Sequence, residues 1–71
     1  MQNMSIENIE EILKRWNVRY SREYNFIRVF GNYSGYSIIR FNSDDPKNPI
    51  ELDGKIRSID EFEDWIYWNC K

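Results

Sequence analysis

Two β-rich runs around a loop bracketed by glycines constrain this chain most. Tyr24-Asn25-Phe26-Ile27-Arg28-Val29-Phe30 and Tyr36-Ser37-Ile38-Ile39-Arg40-Phe41 are dense in aromatic and β-branched residues, and Gly31-Asn32-Tyr33-Ser34-Gly35 separates them. Such a pattern predicts a β-hairpin. Successive side chains of a strand take opposite faces. Ile27, Val29, Ile39 and Phe41 share one parity, with Ser37 as its polar member. Tyr24, Phe26, Arg28, Phe30, Tyr36, Ile38 and Arg40 share the other. An aliphatic set backed by a set of rings and arginines predicts one sheet face in the core and one facing water or a partner.

Helical patterns flank the hairpin. Ile6, Ile9, Ile12, Leu13 and Trp16 recur at spacings of three and four, which predicts a helix over about 5–16. Ser5 is placed to cap it, Lys14 and Arg15 sit in its last turn, and Asn17 can end it in a left-handed conformation. A second helix is expected over about 58–69. Ser58 and Glu61 form an S-x-x-E capping box, and Ile59, Phe62, Trp65, Ile66 and Asn69 trace its inner stripe. Between hairpin and helix, Asn42 to Pro49 reads as a loop and Ile50-Glu51-Leu52-Asp53 as a short third strand, with Asp53-Gly54 turning the chain. Strands are thus expected at about 24–30, 36–42 and 50–53. Val18 to Arg22 reads either as an early extension of the first strand or as a separate connection. The expected fold is α+β, a small single domain over 1–71 in the order α-β-β-β-α. Its three-stranded antiparallel sheet would be packed by the N- and C-terminal helices.

Length and composition narrow the function. A chain of 71 residues hides about 60 % of its extended surface on folding, enough for one small core but not for two domains or a deep internal cleft. There is no histidine, so the commonest general acid/base and metal ligand is missing. The single cysteine, Cys70, offers neither a disulfide within the chain nor a thiolate zinc site, and suits a reduced, cytoplasmic setting. Asp44, Asp45, Asn42 and Asn48 supply oxygen ligands without EF-hand spacing. No apolar run spans a membrane, and the residues from Met1 to Ser5 show no leader pattern. These features give the expectation of a protein that is not an enzyme and uses no cofactor or metal.

The net charge of −2 hides an uneven distribution. Residues 1–13 carry −3, residues 14–40 carry +5 and residues 41–71 carry −4. Five of the six basic residues in the middle stretch are arginine. The chain also carries three Trp, five Tyr and four Phe, more rings than one small core needs. Tyr24, Phe26, Arg28, Tyr36 and Arg40 are therefore the candidate partner-binding residues of the sheet, with Trp68 as an outlying anchor, because rings and arginines dominate protein hot spots. The plainer alternative is that the arginines cover the rings and that Arg28 and Arg40 pair with Glu23 or Glu51 across strands.

The leading expectation is a non-catalytic protein-binding module, including a stoichiometric inhibitor of a larger protein. Single-stranded nucleic-acid binding through the same face is an alternative, disfavoured by a pI of about 5.0. Self-association as a homodimer, with Trp68 at the contact, is another. In element order alone, a small acidic αβββα chain is similar to several phage-encoded inhibitors of bacterial defence, including some anti-CRISPR proteins. That resemblance implies a binder that blocks a host protein without chemistry.

Overall fold

The computed structural model describes residues Ser5 to Cys70. Lys71 and Met1 to Met4, the start of the stretch without a leader pattern, lie outside the described residues. The element order is α1 (Ile6–Arg15), β1 (Arg19–Arg22), β2 (Ile27–Phe30), β3 (Ser37–Phe41), β4 (Ile50–Leu52), β5 (Lys55–Arg57) and α2 (Ile59–Asn69). The strands form one antiparallel meander in sequence order, β1-β2-β3-β4-β5.

The expected α+β domain of two helices and an antiparallel sheet is present, but the sheet has five strands rather than three. Two corrections account for the difference. The strand expected from Tyr24 begins at Ile27, and the stretch before it, read as an extension of that strand or a connection, instead holds the separate strand β1. Glu23 to Phe26 form the turn that returns β1 into β2, closed by the Glu23 N–H donating to the Phe26 carbonyl at 2.8 Å. The second is β5. Asp53 (φ 50°) and Gly54 (φ 86°) both take left-handed backbone, as a two-residue primed hairpin turn requires. Leu52 then faces Lys55, and the chain adds a strand instead of merely changing direction.

α1 ends as its sequence dictates. Asn17 is left-handed (φ 57°), its N–H donates to the Lys14 carbonyl, and the Val18 N–H donates to the Leu13 carbonyl at 3.0 Å. This is a Schellman closure, and its apolar partners Leu13 and Val18 are both buried. α2 starts at the expected capping box. The Ser58 hydroxyl accepts from the Glu61 N–H at 3.2 Å, and the Glu61 carboxylate accepts from the Ser58 N–H at 3.0 Å. The Ser58 backbone N–H, and after it the Ser58 side chain, hold the Glu61 carboxyl below its ordinary value.

Both helices lie on the same face of the sheet. Ile9, Ile12 and Leu13 of α1 and Phe62 and Ile66 of α2 join Ile27, Val29, Ile39, Ile50 and Leu52 in one buried cluster. α1 rests against β1 and β3, and α2 against β4. Trp16 and Glu63 join the helices, the indole N–H donating to the carboxylate at 3.0 Å. The β2–β3 loop reaches the end of α2, where the Asn32 N–H donates to the Asn69 carbonyl at 2.6 Å. Gly31 permits that approach, since a Cβ there would stand 2.5 Å from the same carbonyl oxygen. A radius of gyration of 11.2 Å matches the value of about 11 Å for a compact chain of this length.

Candidate functional site: the uncovered face of the sheet

With both helices on one side, no element of the described residues lies over the other parity of the strands. The β2–β3 register pairs Arg28 with Ile38. Extended one residue at each end, the same alternation sets Phe26 opposite Arg40 and Phe30 opposite Tyr36. β1 adds Arg19 opposite Phe30 and Ser21 opposite Arg28. β4 adds Glu51 opposite Arg40. None of these side chains is in the buried core.

The rings and guanidinium groups form a continuous stack. Arg19 lies over Phe30 at 5.7 Å, and Phe30 meets Tyr36 edge-on at 6.1 Å. Arg28 lies over Tyr36 at 5.4 Å and over Phe26 at 5.8 Å, and Arg40 covers Phe26 at 5.6 Å. Each cation over a ring contributes about 0.5–1 kcal/mol at exposed sites. Glu23 stands 3.9 Å from Arg28 and Glu51 stands 3.7 Å from Arg40. The plainer sequence alternative, arginines covering rings and pairing across strands, thus describes part of this face. The ion pairs are long, however. Among the described residues, Arg19, Arg28 and Arg40 donate no hydrogen bond, and the Arg28 Nε, shielded from solvent, meets no acceptor.

Of the six candidate residues, the structure gathers Phe26, Arg28, Tyr36 and Arg40 into this stack, with Tyr36 51 % exposed. The other two lie apart from it. Tyr24, 95 % exposed, projects from the β1–β2 turn beside an open depression lined by Ser5, Ile6 and Phe41. Trp68, 75 % exposed, belongs to the helical layer, where it meets Tyr67 edge-on at 5.1 Å. Beside it a shallow groove runs between β5 and α2, with Arg57 and Trp65 in its wall. Arg19 joins this face only because β1 is a strand, since its parity has no meaning otherwise.

The remaining charged groups serve the fold. Arg22 donates to Glu10 across the β1–α1 junction, and the Tyr20 hydroxyl donates to the same carboxylate at 3.1 Å. The Arg22 hydrogen bond holds the Glu10 carboxyl below its ordinary value against the opposing effect of burial. Glu61 and Glu63 of α2 are engaged, one in the cap and the other with Trp16 and with Arg15 at 4.0 Å. In the 42–49 loop, Asp45 accepts from the Asn48 amide at 2.8 Å and the Lys47 N–H at 3.0 Å, which lower its pKa in that order. Partial burial raises the Cys70 thiol pKa and so disfavours its thiolate. Among the described residues, no group of three or more Cys, Asp or Glu side chains could hold a metal ion, and no helix is long and apolar enough to cross a membrane.

No family model, curated protein or solved structure matches this chain.

Proposed function

We propose that the chain is a non-catalytic protein-binding module whose docking surface is the uncovered face of the sheet. The observation that carries this reading is the stack of Phe26, Arg28, Tyr36 and Arg40 on a face that neither helix covers. Rings and stacked guanidinium groups are large, partly ordered before contact and amphipathic, which are the properties of interface anchors. The module acts by occupying a partner's surface, and stoichiometric inhibition is one use of such a contact. The phage-inhibitor likeness gains no support from the fold, because it rested on a three-stranded order.

Two features favour a protein over single-stranded nucleic acid. Arg28 and Arg40 already lie over Phe26, which leaves its ring poorly placed to stack a base. The net charge of −2 supplies no dominant basic field to hold a phosphate chain. The test is capture from the native host lysate with wild type, Arg28→Glu and Tyr36→Ala, each shown to be folded by circular dichroism. The reading expects one partner to be retained by wild type and lost by both variants. Retention by all three proteins overturns the site, and tight, steeply salt-dependent oligonucleotide binding overturns the class.

A further inference from the structure

The registers place three arginines on one straight diagonal. Arg19 on β1 faces Phe30, two residues from Arg28 on β2. Arg28 faces Ile38, two residues from Arg40 on β3. Diagonal neighbours of an antiparallel sheet stand about 7–8 Å apart. Same-side residues of an extended chain repeat about every 6.6–6.8 Å, twice the rise of one strand residue. The spacings nearly coincide over three positions. Stacking on Phe30, Tyr36 and Phe26 restrains all three guanidinium groups, whose donors form no hydrogen bond among the described residues. A restrained planar fork held only by long ion pairs is suited to receive a carboxylate in two-pronged fashion.

We propose that this diagonal receives an extended acidic segment of the partner protein, with carboxylates on alternate residues meeting Arg19, Arg28 and Arg40 in order. The inference rests on the reading of the face as a protein-docking surface and specifies its occupant. Glu23 and Glu51 yield the arginines readily, since their present pairings exceed hydrogen-bond length.

The experiment is a titration of the isotope-labelled protein, followed by NMR at the arginine Nε–H and strand amide signals. Three probes are compared. One is a threonine-rich peptide with glutamate at every second position, one has the same composition with its glutamates contiguous, and one is an oligothymidylate. The proposal expects the alternating peptide to shift the signals of all three arginines and to saturate at about tenfold lower concentration than the contiguous one. Arg28→Gln and Arg19→Gln, with amide spectra showing the fold intact, should each remove most of that advantage. Equal curves for the two peptides, or no shift with either, overturn the proposed occupant. Continued loss of host-partner capture in Tyr36→Ala would then leave the docking surface standing. Saturation by the oligothymidylate below the alternating peptide overturns both.

Discussion

On β2, Ile27 and Val29 point to one side of the sheet and Arg28 and Phe30 to the other. The inner residues are wholly enclosed. Their stability comes from removing apolar surface from water and from close packing, so each depends on its neighbours' shape. The outer residues touch mainly one another, through stacked cations and long ion pairs. Those interactions are weaker and screened by salt. The lesson is a division of labour at single-residue spacing. The inner parity holds the fold, and the outer parity adds a smaller share through contacts that stand partly in water.

Substitutions on β3 test that division most sharply. Ile39→Ala, at 0 % exposure, should cost about 2–5 kcal/mol in urea unfolding, whereas Ile38→Ala next to it should cost under about 1 kcal/mol. Equal losses would mean that the outer face is also part of the core. Phe26→Ala removes the ring beneath two guanidinium groups and should cost about 1–2 kcal/mol, an effect that shrinks at high salt. Ser58→Ala breaks a cap remote from both faces and should cost about 1 kcal/mol in the same assay. Acid offers a gentler probe. The Glu10 carboxyl is lowered in the folded state, so its contribution is present above the unfolded value near 4.5 and fades as pH falls through the folded one. Glu10→Gln should therefore flatten the acid limb of stability against pH. Smallest of all, Trp68→Ala should move the unfolding midpoint by less than about 0.5 kcal/mol, since its side chain is mostly in water. Sedimentation of the same pair tests self-association through Trp68, which a concentration-independent monomer in both would exclude.

The helices were legible because their signals are local. The capping box at Ser58 and the left-handed Asn17 depend on residues within one turn, and α1 and α2 fall within a residue of the expected spans. The parity of the central hairpin was equally legible, since a strand's period is two. β1 and β5 were not. Arg19-Tyr20-Ser21-Arg22 and Lys55-Ile56-Arg57 have little apolar alternation, and pairing with a stronger neighbour makes them strands. β1 bears on the site in two ways. It gives Arg19 its place on the outer face, and it turns the chain at Tyr24, which the period of two alone carries onto the sheet face. Trp68 is exposed, but helical spacing alone does not set whether it shares a layer with the arginines.

The Trp16–Glu63 hydrogen bond joins positions 47 residues apart, whereas every strand pairs with its immediate successor. Short loops close rapidly and long ones slowly, so the meander can assemble hairpin by hairpin before the two ends of the chain meet. Weakening the indole–carboxylate join should then accelerate unfolding far more than it slows refolding, and kinetic lifetime would be set by where the helices touch.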